Sequence, residues 1–249
     1  MHGRTLSLLV VLGMVLCLGA PADAAVLFTE SFEAESVAEG TWGTETRSNT
    51  QGGVPGWTVT SDTMYHWYNE CNPDTAGNVR FSSSSAPDGT NGLMIKSPAG
   101  APGKTALYTT SPIGTIAAST SYALSVDVGR LLESSTFYKM DAVMIALTTN
   151  PGWSLDDPLT NEATNWFLGS ELTQGAFVEK TVTLDAATIA AQGLAGKSLY
   201  VYLWIRGTDA KEMVVFDDIR VTTTLIPEPA TMSLLVLGGV AALLRKRRN

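Results

Sequence analysis

The sequence predicts an all-β domain, a jelly-roll β-sandwich, between an N-terminal signal peptide and a short C-terminal hydrophobic helix. Residues 25–224 consist mainly of short alternating strands separated by turns rich in Gly, Pro, Asn and Asp, with one helical stretch. Both ends of the chain are apolar segments that differ in composition from this middle region. We therefore divide the sequence into residues 1–24, 25–224 and 225–249.

Residues 1–24 have the pattern of a secretory signal peptide. The apolar run Leu6–Leu18 is followed by Ala22 and Ala24, which form the small-x-small motif cleaved by signal peptidase. About 13 apolar residues are too few for a bilayer-spanning helix, which needs roughly 20. We expect cleavage after Ala24.

The middle region contains five segments with strand-type alternation and several strong turns between them. The segments are Tyr122–Val128, Ala142–Thr148, Phe177–Leu184, Leu199–Ile205 and Met213–Thr223. Asp185–Gln192 is the one predicted helix, with Asp185 as its N-cap. Between Thr41 and Ser85 the alternation weakens, which predicts long loops there.

The charge distribution excludes one class of partner. Outside the leader and the four cations of the C-terminal cluster, the chain carries 23 acidic and 11 basic residues. Such a surface repels phosphate backbones, so we expect no nucleic-acid partner, whereas a divalent cation becomes more plausible. Cys17 lies in the leader, which leaves Cys71 without a partner for an internal disulfide.

The sequence lacks the usual patterns of catalytic sites. His66 is the single histidine after the leader, and no HExxH, GxSxG or P-loop motif occurs. This leaves little room for a Ser-His-Asp triad or a histidine-bound metal. We therefore expect a protein that is not an enzyme, although a pair of carboxylates for glycoside cleavage can be found in any chain this acidic.

The C-terminus combines Pro227, Glu228 and Pro229 with an apolar run, Ala230–Leu244, and a basic cluster. The cluster consists of Arg245, Lys246, Arg247 and Arg248. In motif, order and position these residues resemble the PEP-CTERM sorting signal. The resemblance implies transient anchoring in the inner membrane of a Gram-negative bacterium and cleavage near Pro229 by an exosortase-type enzyme. It further implies delivery to the cell surface, outer envelope or extracellular matrix. The alternative is a permanent C-terminal anchor.

Five short motifs resemble the jelly-roll carbohydrate-binding modules of the galactose-binding-like type. They are Leu27–Glu33, Gly56-Trp57, Pro87–Leu93, Tyr122–Val128 and Phe216–Val221. In this family a structural calcium often joins the first and last strands through a Glu and an Asp. The resemblance maps these ligands onto Glu33 and onto Asp217 or Asp218.

The pattern of the last strand supports a partner for one of these carboxylates. If Ile219 and Val221 face the core, a period of two places Asp217 on the core face and Asp218 outside. A buried carboxylate needs a compensating charge or hydrogen bonds, and calcium accepts mixed oxygen ligands. A salt bridge or a turn-capping role for the aspartate is the alternative.

One aromatic segment, predicted as a loop, is a candidate sugar-binding site. It contains Tyr65, Trp67, Tyr68, Asn69 and Glu70. Aromatic rings stack on sugar rings, and amide or carboxylate groups bind hydroxyls. Alternatively these aromatic residues are core residues, as we expect for Trp57 and Trp204.

These observations lead to one functional expectation and two alternatives. The expected protein is exported, non-catalytic and in contact with carbohydrate or exopolysaccharide, with a structural calcium. A structural or adhesive surface protein without a sugar ligand is the first alternative. A polysaccharide-cleaving enzyme is the second.

Overall fold

A computed structural model describes residues 24–33, 56–61, 65–70, 87, 89, 91–96, 103–130, 142–151, 162–173, 175–207 and 213–226. The predictions for the leader before Ala24, for Cys71 and for the sorting motif from Pro227 onward lie outside these residues. Within the part of the chain described, no helix is long and apolar enough to cross a membrane.

The described residues form twelve strands, one α-helix and one 3-10 turn. The strands are β1 Ala25–Glu30, β2 Trp57–Ser61, β3 Tyr65–Glu70, β4 Asn91–Lys96, β5 Gly103–Thr109, β6 Gly114–Thr115, β7 Thr120–Arg130, β8 Ala142–Thr148, β9 Ala163–Phe167, β10 Ala176–Leu184, β11 Ser198–Gly207 and β12 Met213–Leu225. The helix α1 is Ala186–Gln192, and the 3-10 turn is Gly169–Glu171.

The strands form two six-stranded sheets in which the pairings are antiparallel. The first sheet has the order β10-β7-β12-β4-β3, with β1 also beside β12. The second has the order β2-β5-β11-β8-β9, with β6 also beside β11. The predicted all-β sandwich is thus confirmed.

The alternation in β7 shows how the sequence builds the core. Tyr122, Leu124, Val126 and Val128 are at most 3% exposed and belong to the apolar cluster between the sheets. The intervening Ser125 is partly exposed on the opposite face. The same cluster takes residues from both sheets, so burial of one face of each sheet holds the sandwich together.

Strand β8 is buried on both faces, because the second sheet carries an additional apolar cluster on its outer face. Its buried members are Ala106, Ala142, Met144, Ala146, Tyr202 and Trp204. Trp204 packs edge-on against Trp166, with ring centroids 4.9 Å apart. Trp204 is buried as expected, but on the outer side of the sheet.

Aromatic packing and hydrogen bonds to the Glu30 carboxylate hold the first strand and the residues after it against β2. Phe28 and Phe32 pack against Trp57, with centroid separations of 6.4 and 6.1 Å. The Glu30 carboxylate accepts hydrogen bonds from the backbone N–H of Phe32 at 2.9 Å and from Trp57 Nε1 at 3.4 Å. Phe32 has a φ of +59°, and this short-range hydrogen bond offsets part of the strain.

The helix prediction is confirmed, with the Asp185 carboxylate accepting a hydrogen bond from Thr188 N–H at 2.6 Å. The five predicted strands are also present. The loop prediction for Tyr65–Glu70 is wrong, because this segment is strand β3, which pairs with β4 along its whole length. Aromatic residues favour strands, and a partner distant in sequence supplies the ladder that local patterning does not reveal.

The Tyr122 hydroxyl should contribute measurably to stability. It accepts a hydrogen bond from Ala117 N–H at 2.8 Å and lies 3.4 Å from the Thr115 carbonyl, so it holds the turn before β7. We expect Tyr122→Phe to lower the unfolding free energy by about 1 kcal/mol, measured by thermal denaturation. The control Tyr200→Phe, at a partly exposed position, should change it by less than half as much. Equal effects would contradict this role.

Candidate functional site

Strand β12 changes its neighbour on one side in the middle of its length. Residues up to Phe216 pair with β4, and residues from Ile219 onward pair with β1. Asp217 and Asp218 lie between these two ladders, at a notch in the sheet. On the other side, the register with β7 shifts between Asp217 and Arg220, and Asp218 has a φ of +39°. This is a β-bulge, a feature that often lies beside active sites.

The bulge reverses the expected face of Asp217. Phe216 and Ile219 both belong to the central core, although three positions separate them. Asp217 pairs with Asp127 of β7, on the face opposite the core. The prediction that Asp217 shares a face with Ile219 and Val221 is therefore wrong, because the inserted residue breaks the period of two. Asp217 is nonetheless fully buried.

Three carboxylates from adjacent strands form one row across this outer face. The register places Glu179 of β10 opposite Asp127, and Asp127 opposite Asp217. Partial burial, together with the negative charges of Asp218 and Glu179, raises the pKa of Asp127 to about 6, against the lowering effect of Arg220. Asp127 can therefore hold or release a proton near neutral pH.

Asp218 has a different environment from Asp217. Its Oδ1 lies 3.0 Å from Nη2 of Arg220, and both side chains are partly exposed. This ion pair occupies the Asp218 carboxylate on the solvent side of the bulge. Of the two aspartates considered as metal ligands, Asp217 is the one in a buried position.

The segment that follows β1 contacts the turn before β4. The Glu33 carboxyl group lies against Gly89, where φ is +80° and an added Cβ would overlap the Glu33 carboxyl carbon. Glycine is required there for the close approach. Glu33 lies three residues after the end of β1, and Asp217 lies in β12 between its β4 and β1 ladders. Among the described residues, however, no group of three or more His, Cys, Asp or Glu residues is close enough to hold a metal.

The register also positions one predicted sugar-binding residue relative to this face. Trp67 pairs with Met94, Met94 pairs with Val215, and Val215 pairs with Gly129. Val215 and Gly129 are buried, although they lie on the face away from the core. The part of the sheet face beside Asp127 that Val215 and Gly129 form is therefore apolar and shielded from solvent.

The other predicted sugar-binding positions are divided between the two faces of the sheet. Tyr65 and Asn69 lie two residues on either side of Trp67 and share its parity. Tyr68 and Glu70 have the opposite parity, and Tyr68 pairs with the core residue Leu93. The structure therefore does not place the five positions on one face.

Asp127 was not a candidate from the sequence. Alternation places it on the other face of β7 from Val126 and Val128. Its carboxylate therefore points away from the core, as many carboxylates on strands do. What distinguishes it is its pairing with Asp217, ninety positions later in the chain, and no local pattern reports that pairing.

Comparison with known proteins identifies one family. The model of the HpiC1-like family, described as HpiC1 cyclase, matches residues 26–222. No significant match occurs among curated proteins.

Three solved structures from Fischerella share the fold. An apo cyclase is 18% identical, with a TM-score of 0.58, and the alignment covers 82% of this chain and 98% of that one. A Stig cyclase, Fisc, bound to (3Z)-3-(1-methyl-2-pyrrolidinylidene)-3H-indole is 17% identical, with a TM-score of 0.57 and coverages of 82% and 100%. A cyclase bound to 4-(1H-indol-3-yl)butan-2-one is 18% identical, with a TM-score of 0.54 and coverages of 80% and 96%.

These comparisons correct the functional prediction. A family of cyclases is a family of enzymes, so the predictions of a non-catalytic protein and of a carbohydrate-contacting role are wrong. The motifs behind them describe a β-sandwich scaffold, which hosts many unrelated functions. Because the family match covers most of its length, the chain belongs to the HpiC1-like cyclase family.

Proposed function

We propose that this protein is a cyclase on a jelly-roll β-sandwich that closes a ring in a small aromatic substrate by proton transfer from Asp127. The observation that carries the proposal is the raised pKa of Asp127, about 6, in a row of carboxylates on a partly enclosed face. Membership of a cyclase family supports the reaction class. The indole compounds bound by two structural neighbours support an indole-bearing substrate.

A general acid must hold its proton near the working pH and release it readily in the transition state. An ordinary aspartate, with a pKa near 3.8, is almost fully ionised at neutral pH. With a pKa of about 6, roughly one Asp127 side chain in ten is protonated at pH 7. Burial and the neighbouring negative charges thus prepare this carboxyl group for proton donation.

Ring closure of this kind is an isomerisation in which every atom is retained. The Asp127 proton is added to an unsaturated carbon of the substrate, and the resulting cation is attacked by the π-electrons of the aromatic ring to form the new bond. The ring carbon then loses a proton to the Asp127 carboxylate, which restores the acid. The buried apolar positions Val215 and Gly129 keep water away from the cationic intermediate.

We also propose calcium as a structural cofactor, held by Glu33 and Asp217 at the notch. Its support is the approach of Glu33 to Gly89 and the burial of Asp217 between the β4 and β1 ladders. Calcium accepts mixed carboxylate and carbonyl oxygens as ligands, which is the kind of group that these two side chains offer. Its binding would join the first and last strands beside the reactive face.

We further propose that the chain is exported and sorted, with processing at Ala24 by signal peptidase and near Pro229 by an exosortase-type enzyme. Strand β1 begins at Ala25, so cleavage after Ala24 would leave the sheet intact. At the other end β12 stops at Leu225, two residues before Pro227. Both processing motifs therefore adjoin the folded domain without belonging to its strands.

The acid role of Asp127 can be tested with 4-(1H-indol-3-yl)butan-2-one as a probe. We expect the protein to bind it and to catalyse deuterium exchange from heavy water at the carbons next to its ketone. Asp127→Asn should retain binding, measured by calorimetry, but reduce the exchange rate measured by NMR at least roughly 100-fold.

The matched control is Glu179→Gln, at the exposed end of the same row. It should keep the exchange activity and shift its pH profile to lower pH, because the Glu179 charge raises the Asp127 pKa. Absence of probe binding, or unchanged exchange in Asp127→Asn, would refute the proposal.

The same carboxyl group predicts a pH dependence of stability. Between pH 3.8 and about 6 the folded protein retains a proton that the unfolded chain has lost, so stability should fall as pH rises through this range. Asp127→Asn should remove this dependence and stabilise the protein at pH 7.5 by about 1 kcal/mol, after allowance for solvent screening. Chemical denaturation at pH 4 and pH 7.5 measures it. A variant with the wild-type slope would contradict the pKa shift.

Calcium should stabilise the protein through Glu33. At a hundredfold excess over its dissociation constant, calcium should raise the unfolding free energy by about 2.7 kcal/mol. Glu33→Gln should lose most of this gain. The control Asp185→Asn should keep it, because Asp185 caps the helix and asparagine still offers a capping oxygen there. Thermal unfolding with calcium and with chelator measures the effect. The same melting temperature in both conditions would remove the site.

A further inference from the structure

Both ends of the folded domain lie at one end of the sandwich. Ala25 pairs with Thr223, whose hydroxyl donates a hydrogen bond to the Ala25 carbonyl at 3.3 Å. One residue beyond the pair Leu225–Thr120, Ile226 N–H donates a hydrogen bond to the Ser119 carbonyl at 2.7 Å. We call the surface formed by residues 24–27, 110–119 and 223–226 the entry end.

Exposed apolar side chains are concentrated at the entry end. The structure describes five large hydrophobic residues that are exposed. Four of them are at the entry end: Val26 at 61%, Leu27 at 37%, Leu225 at 60% and Ile226 at 41%. The fifth, Leu168, follows β9 at the opposite end of the sandwich.

The three segments that form the entry end carry no charged residue, and the exposed Lys197 adjoins them, since its carbonyl accepts a hydrogen bond from Ile116 N–H at 2.9 Å. Residues 24–29, 110–121 and 222–227 contain no Asp, Glu, Lys, Arg or His, although the chain as a whole is acidic. The loop at this end exposes Ala117 and Ala118 in place of charged residues. A surface with little charge and protruding aliphatic side chains is suited to a non-aqueous neighbour.

We propose that the entry end lies against the surface of a lipid bilayer. The apolar segment Ala230–Leu244 begins four residues after Ile226, so an extended linker keeps it within about 14 Å of the domain. Before the proposed cleavage after Ala24 and near Pro229, the chain therefore carries an apolar run on both sides of the domain, since Leu6–Leu18 precedes Ala25 in sequence. Aliphatic side chains enter the interface between headgroups and acyl chains, and an end with little charge needs no anionic lipid.

Four side chains bind a bilayer only weakly by themselves. Attachment of the chain to the same bilayer through its apolar segment makes their contact with lipid intramolecular, which strengthens it.

The orientation that follows places the candidate catalytic face away from the lipid. Asp127 is seven residues along β7 from Thr120, or about 23 Å at 3.3 Å per residue. Substrate would therefore reach the site from the aqueous side. The inference rests on the apolar segments and not on the proposed reaction.

The test uses the full chain in phosphatidylcholine vesicles, with Cys17→Ser and Cys71→Ser to remove the native thiols. A nitroxide is placed at Ala117→Cys or, as the control, at Leu168→Cys. Paramagnetic resonance then compares collision with oxygen, which concentrates in lipid, and with a water-soluble nickel chelate. Ile226 lies beside Ser119, so the tether alone holds Ala117 near the vesicle, and a variant that keeps the tether but lacks the exposed apolar side chains is needed to separate tethering from docking.

We expect the ratio of oxygen to nickel accessibility at Ala117 to exceed that at Leu168 several-fold. The double variant Val26→Ser, Leu225→Ser should abolish this difference while the protein still floats with the vesicles. Equal ratios at both positions in the parent chain would overturn the proposal. Spin–spin broadening at Ala117 that grows with protein density would also overturn it, in favour of a second copy of the chain. Binding of the indole ketone is measured separately, so failure of the docking and failure of the catalytic proposal are distinguishable.

Discussion

The structure depends on the way β12 is shared. One side of this strand pairs with β7, while the other side pairs first with β4 and then with β1. A single strand therefore fixes the first, middle and last segments of the first sheet. The exchange of neighbours leaves two residues, Asp217 and Asp218, without a continuous ladder on one side. The polar notch and the central pairing are products of the same topology.

The bulge at the notch connects packing with chemistry. An inserted residue lets Phe216 and Ile219 both enter the core, and it leaves Asp217 on the outer face opposite Asp127. Placing acidic groups side by side on a partly buried face is unfavourable for folding, since like charges repel and desolvation penalises the ionised form. Such a cost is commonly retained where a perturbed carboxyl group has a function. The apolar cluster between the sheets supplies the stability that offsets it.

The correction from carbohydrate module to cyclase has a physical basis. Motifs such as Gly56-Trp57 and Phe216–Val221 mark strands and turns that hold a sandwich together, and these requirements are the same whatever the outer face does. Sequence reasoning about histidines and nucleophiles also did not single out Asp127, the acid that we propose, because acid catalysis needs only one carboxyl group with a raised pKa. An aspartate of this kind carries no motif.

The sequence by itself determined what depends on neighbours along the chain. Alternation placed β7, β8, β10, β11 and β12, and Asp185 marked the start of the helix, because periodicity and capping are local. Only the tertiary structure decided that Tyr65–Glu70 is a strand, that Asp217 faces Asp127, and that Ala25 meets Thr223. Each of these depends on hydrogen bonds between segments far apart in sequence. One inserted residue in such a ladder moves a side chain to the other face of the sheet, which no count of residues along a single strand reveals.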